Sequence, residues 1–332
     1  MGRAEAALHP DVPVSPLVLV GASAAALRLA EDIRAAAEAS CLLLEAETGL
    51  ETLEIAREIH AQSKRPGRFV AIDCASAEPA VIEKELFGDQ TRRALGDLET
   101  IAPRSALAAA RGGTLYLGDV SELSASAQSR LARAVRDDEV RLAGEACRLE
   151  VCLVAATSTE FDAEVNEGRV RRDLARHISR TRVVVPALRR RAEDIPQMIE
   201  VLIAQRCEKI GVARKSLTQA AMTLLAAMPW RSNLVELRHA MARLVSGADA
   251  DHIQLEDVLA HVRFDGAVSP HAGAGTLRAA RQQFERDYIA LVLQHHRGRV
   301  GDAARALGIQ RTNLYRKARQ LGISVARPVH NA

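Results

Sequence analysis

An α/β body on a parallel sheet, continued by a helical region and closed by a small all-α unit, is the fold this chain predicts. Three observations carry it. Over the first half, short apolar runs alternate with helix-patterned stretches, and regular alternation needs crossover connections and hence parallel strands. From Leu188 onward the apolar residues recur at helical spacing. Near the end, "GRVGDAARALGIQRTNLYRKARQLGI" reads as two short helices joined at a glycine.

The strands are "LLLE", "RFVAIDC", "GTLYLGD" and "VCLVAATS". They are apolar almost continuously, as expected of strands covered on both faces. Helices fall between them, such as Ala125–Val135, where Leu131 and Val135 share a face. Residues 1–15 are too few and too proline-rich for a sensor domain, the α/β body runs over 16–186, and a helical subdomain runs over 187–263. In the latter, Ile195, Met198, Ile199, Leu202 and Ile203 form one buried stripe. "FDGAVSPHAGAGT", residues 264–276, is aperiodic and reads as a linker, and a compact helical unit occupies 277–326.

Composition narrows the function. Among 332 residues no apolar run approaches the roughly 20 needed to span a bilayer, and the N-terminus has no signal-peptide pattern. The five cysteines (Cys41, Cys74, Cys147, Cys152, Cys207) lack paired metal-ligand spacing, so reduced thiols in a cytoplasmic protein without metal or cofactor are expected. The net charge of +3 hides an asymmetry: from Thr276 onward eleven Lys/Arg face three Asp/Glu, leaving the rest net acidic. A basic end on an acidic body points to a polyanion partner for that end.

The terminal unit names the polyanion. A first helix turns Tyr288, Ile289, Leu291 and Val292 inward and stops at Gly298. The second, Val300–Leu307, is alanine-rich and stops at Gly308, whose missing Cβ suits a left-handed cap, and Ile309 plugs the turn. In the third, Gln310–Gln320, Leu314, Ala318 and Leu321 share a face. At 100° per residue the opposite face carries Thr312, Arg316 and Arg319, flanked by Asn313 and Gln320. Such side chains bond base edges and phosphates in a major groove. The expected DNA-binding set is Arg311, Thr312, Asn313, Arg316, Lys317 and Arg319. The segment also resembles the helix-turn-helix of the factor-for-inversion-stimulation (Fis) type, which implies a homo-oligomer, a dimer or higher, on a palindromic site in double-stranded DNA.

The same terminal unit is familiar in the nitrogen-regulator class of bacterial enhancer-binding proteins, whose central domain is an AAA+ ATPase acting on sigma-54 RNA polymerase. The body resembles that domain from about Leu17 to Leu259. "AREIHAQSKRPGRFVAIDCAS" is similar to the helix and strand after its Walker A loop, "ELFGD" to a strand-to-loop signature and "GGTLYLGDV" to Walker B. "VAATS" is similar to the sensor I strand, "GRVRRDL" to the arginine-finger segment and "PALRRRAEDIP" to the start of the lid. The implied fold is an AAA+ parallel-sheet, P-loop-like core with a helical lid.

The departures from that pattern shape the expected function. A Walker A loop wraps phosphates with backbone amides and neutralises them with a lysine. Counting back from His60, its glycines fall on Ala46 and Glu51 and its lysine on Thr52; Gly49 survives. Glu45, Glu47 and Glu51 stand where phosphates would lie, and like charges near 4 Å repel by about 1 kcal/mol even in water. The Walker B pair falls on Gly118 and Asp119, sensor I on Ser158 and sensor II on Val235, with Arg238 one turn on. One finger arginine is matched by Arg171, the other by His177 beside Arg176. The family's sigma-contact loop "GAFTGA" is replaced by "RRALGD", Arg92–Asp97. The resemblance with these losses implies a DNA-binding transcriptional regulator that is not an enzyme, working without ATP hydrolysis or sigma-54 engagement. RNA polymerase or a signalling protein is the further partner expected. The alternative is an interaction subunit that binds a signalling partner or modulates an active enhancer-binding protein.

Overall fold

A computed structural model describes residues 16–89, 98–157, 160–248, 250–262, 285–286, 288–290, 292–293, 296 and 299–323. The chain forms two compact units. Of the described residues, the first holds 16–20, 29–45 and 51–184; the second holds 21–28, 46–50 and those from 185 onward.

After helix α1 (Ala24–Ala36), the first unit runs β1 (Cys41–Glu45), α2 (Thr52–Ser63), β2 (Phe69–Asp73), α3 (Pro79–Phe87), β3 (Glu99–Ile101), α4 (Ala106–Ala109) and β4 (Thr114–Gly118). It continues with α5 (Ala125–Asp137), β5 (Glu139–Leu142), β6 (Glu145–Arg148), β7 (Cys152–Thr157), α6 (Phe161–Asn166), α7 (Arg172–Ile178) and β8 (Arg182–Val184). Five parallel strands lie in the order β2-β4-β7-β1-β8. Residues Cys41–Leu44 of β1 and all of β7 are buried. Alternate strand residues point to opposite faces, so burial at every position means cover on both sides. One face packs Leu43, Leu115, Leu117, Leu153 and Ala155 into a core with Leu86, Phe87 and Leu131.

The four expected strands are β1, β2, β4 and β7. The periodicity did not reveal β8 or the small sheet β3-β5-β6, in which β5 and β6 form a hairpin. Those strands are three or four residues long, too short to display a period.

The second unit carries α8 (Ile195–Ile210), β9 (Ser216–Leu217), α9 (Gln219–Ala227), α10 (Asn233–Gly247), β10 (His252–Ile253), α11 (Leu255–His261), α12 (Val300–Ala306) and α13 (Arg311–Gln320). Met198, Ile199, Leu202 and Ile203 are buried along α8. An entirely helical lid is therefore corrected in one detail: β9 and β10 pair in parallel as a two-residue bridge. Residues 1–15 and 264–276 lie outside the described residues, as do Leu291 and Gly298.

Asp194 anchors the start of this unit. Its carboxylate accepts from the Ala22 and Ser23 amides at 3.0 and 2.9 Å, from the Ser23 hydroxyl at 2.5 Å and from Arg191 Nε at 2.8 Å. Ser23 in turn accepts from the Ala26 amide, capping the first turn of α1. Both Arg191 and Asp194 are fully enclosed. Gly21 is required beside them, because a Cβ there would lie 2.2 Å from Asp194 Cγ.

Candidate functional site

The loop after β1 is held by its own unit. Asn233, at the start of α10, is fully buried with φ +50°. Its side-chain oxygen accepts from the Leu188 amide at 3.0 Å, and its side-chain nitrogen donates to the Thr48 carbonyl at 3.0 Å and to Glu47 at 3.4 Å. Arg189 grips both carboxylate oxygens of Glu47 and holds it below the usual carboxylate range. The Val235 amide donates to the Gly49 carbonyl at 3.3 Å. Gly49 has φ +86°, and a Cβ there would lie 2.1 Å from the Ser232 carbonyl oxygen. Conformation and space both demand glycine here. Ala46 and Leu50 are buried. The sequence singled out Ala46, Gly49 and Val235 but assigned no role to Asn233 or to Arg189 within "PALRRRAEDIP", whose partners in this loop lie far away in sequence.

In the first unit, Thr52 opens α2, and its hydroxyl meets the Tyr116 hydroxyl at 2.7 Å. Glu51 precedes it as the helix N-cap. Gly118 ends β4, and a Cβ on it would stand 3.3 Å from the Tyr116 hydroxyl. Asp119 follows in a left-handed conformation. Burial pushes its carboxyl above the usual range, and Asp73, Glu122 and Glu164 add to the shift. Glu45 is raised by burial, opposed by Arg182, which also pairs with Asp162. Arg171 is clamped bidentately by Asp173 at 3.0 and 2.8 Å. His177 is lowered by burial and by the neighbouring Arg180, Arg136 and Arg176. Ser158 and Arg92–Asp97 lie outside the described residues. With a hydroxyl at position 52 in place of a lysine, these residues do not supply the cation of the lysine-held triphosphate pose. No cluster of ligating side chains suited to a metal occurs among the described residues. The free cysteines are buried or half-buried, and burial first among causes pushes the Cys74 thiol up to about 12.

The terminal helices show how glycine shapes the second candidate site. Gly308, at φ +65°, donates to the Arg305 carbonyl, and Ile309 donates to that of Ala304. That reciprocal pair closes α12 as a Schellman motif. Gly322 and Ile323 repeat it on Arg319 and Ala318, closing α13. Leu314 packs with Ile289, Val292, Val300 and Ala303, and Ala318 is buried beside it on the same face of α13. Arg311, Thr312, Asn313, Arg316 and Arg319 are exposed. Lys317 is only half exposed and is bonded to Glu285. Arg311 lies over the Tyr315 ring, 5.8 Å from its centroid.

A parallel-sheet AAA+ core, a helical lid and a helix-turn-helix together define the class. Residues 19–184 match the sigma-54 interaction domain, 189–274 the AAA+ ATPase lid domain and 280–321 the bacterial regulatory protein, Fis family. The chain belongs to the sigma-54 interaction domain family of transcriptional regulators. The transcriptional regulatory protein ZraR of Escherichia coli K12 is 32% identical over 320 residues, covering 93% of this chain and 70% of ZraR. The anaerobic nitric oxide reductase transcription regulator NorR of Klebsiella pneumoniae is 31% identical, covering 95% of this chain. This chain spans 64% of NorR's length and 61% of that of NtrX from Azorhizobium caulinodans. Among solved structures, NtrX from Brucella abortus in complex with ATP matches with TM-score 0.73 at 29% identity, over 92% of this chain and 69% of that one. Thermotoga maritima RuvB shares the fold at TM-score 0.50.

The expectation that the chain is not an enzyme is corrected by these matches. Its lid is that of an AAA+ ATPase, and a solved relative is held with ATP and, in another structure, with ADP. In the sequence Glu45 and Glu47 stand as bare charges. Both are compensated, by Arg182 and Arg189, so repulsion of a phosphate is weaker than an uncompensated count implies.

Proposed function

We propose that this chain regulates transcription as a DNA-bound homo-oligomer, reading a palindromic site through Thr312, Asn313, Arg316 and Arg319 with Arg311 and Lys317 on the flanking backbone. The observation that supports the reading is the division of α13: Leu314 and Ala318 face the core while these polar side chains face outward. Pairing to Glu285 makes Lys317 the weakest of the set.

We also propose that contact with sigma-54 does not run through Arg92–Asp97, where two arginines replace the small apolar tip of the family's loop. RNA polymerase or a signalling protein is the further partner, and the cytosol is where the chain works. No helix among the described residues is long and apolar enough to cross a membrane.

The test is a hydroxyl-radical footprint of the purified chain alone on the promoter regions of its own operon. Two protected half-sites are expected, spaced by one helical turn, about 34–36 Å, or a multiple of it. Protection that appears only after a partner is added would favour the interaction-subunit reading.

A further inference from the structure

A cavity of about 500 Å³ opens in the first unit at the amino ends of the strands. Its walls include Cys41 at the start of β1, Arg65 and Pro66 ahead of β2, Gly112 ahead of β4 and Val151 ahead of β7. The segments following β1 and β4, which lead to Thr52 and Asp119, leave from the opposite ends of the strands. The cavity is therefore separate from the site described above.

Its chemistry is uneven. Pro66, Val135, Leu149 and Val151 give an apolar wall. Two carboxylates also border it, and both are already engaged: Asp138 accepts from the Glu150 amide at 2.9 Å and from Arg148 at 3.2 Å, and Glu150 pairs with Arg148 at 3.5 Å. Arg65 differs. One of its terminal nitrogens donates to the Ala39 carbonyl at 3.0 Å, fixing the guanidinium, while its Nε is buried with no hydrogen-bond partner. Among the described residues it has no carboxylate partner. Nε itself is closed to solvent, so what Arg65 offers a ligand in the cavity is the positive charge and outer edge of its guanidinium.

We propose that this cavity binds a small monocarboxylate with an apolar body, its carboxylate on Arg65 and its chain against Pro66, Val135, Leu149 and Val151. The volume suits a molecule of that class. A guanidinium held in place takes a carboxylate through directed hydrogen bonds. Asp138 and Glu150 share Arg148, which leaves one net negative charge at the border, so a single carboxylate on Arg65 is favoured over a polyanion.

The test uses the full chain labelled with ¹⁵N-arginine and follows the Nε–H resonances by NMR, with that of Arg65 assigned from its loss in Arg65→Gln. Hexanoate is the probe, and hexan-1-ol and citrate are the comparisons. Hexanoate is expected to shift the Arg65 resonance saturably at millimolar concentration, with hexan-1-ol and citrate at least ten-fold weaker. Val135→Phe, which fills the cavity and leaves Arg65 in place, is expected to weaken hexanoate at least ten-fold while thermal unfolding stays cooperative. The absence of a saturable shift would overturn the proposal and mean that the cavity holds water alone. Equal response to hexan-1-ol, or unchanged hexanoate binding in a folded Val135→Phe, would overturn it as well.

Discussion

Replacing Asp194 by alanine is expected to destabilise the protein by about 3–5 kcal/mol in urea unfolding, the range found when one partner of a buried pair is removed. Arg191 would remain enclosed with its charge, and the Ser23 hydroxyl and the Ala22 and Ser23 amides would lose their shared acceptor. Asp194→Asn keeps the shape but removes the charge, and is expected to recover only part of the loss. The pH dependence follows the same geometry. Burial alone would push this carboxyl up, but the Ser23 hydroxyl and amide and the Arg191 guanidinium outweigh it and hold the carboxyl below its usual value. A folded-state pKa below the unfolded value gives stability that is complete above about pH 4 and is lost as the pH falls through the lower, folded value. The wild type should therefore lose stability in acid more steeply than Asp194→Ala, which no longer carries the titrating group.

Asn233→Ala is the second large effect expected, at about 3–4 kcal/mol. The buried Leu188 amide would lose its acceptor, and Thr48 and Glu47 would lose a donor. The substitution also places alanine at φ +50°, where a Cβ is disfavoured. Asn233→Gly separates the two contributions: it relieves the backbone and restores about 1 kcal/mol while leaving the hydrogen bonds absent. If both variants unfold at the wild-type urea midpoint, Asn233 does not hold the loop after β1.

The parts of the fold legible in the sequence were those with many residues repeating one pattern. The strands β1, β2, β4 and β7 are largely apolar runs, and α13 shows its buried face through Leu314 and Ala318. The glycine turns at Gly308 were equally plain, because a left-handed cap has few alternatives. The small sheet β3-β5-β6 and the β9-β10 bridge were hidden because strands of two to four residues display no period. At the loop after β1, the identities of Ala46, Glu47 and Gly49 were legible, but the charge environment was not. Glu47 reads as a repelling charge in isolation, and only the fold shows Arg189, 142 residues away in sequence, gripping it. Lys317 likewise reads as a free cation until Glu285 is found beside it. Charge is visible in a sequence; compensation is not.

The central claim is that the outward face of α13 binds DNA, and fluorescence anisotropy on Arg316→Ala tests it most directly. Wild-type and variant chains would be titrated against a duplex carrying the footprinted site and a scrambled duplex, over a range of salt concentrations. If Arg316 reads a base, the specific complex alone should weaken by about 1–3 kcal/mol. If it meets a phosphate, both complexes should weaken and the salt slope should flatten by roughly one unit. Wild-type affinity for both duplexes at every salt concentration would contradict the account.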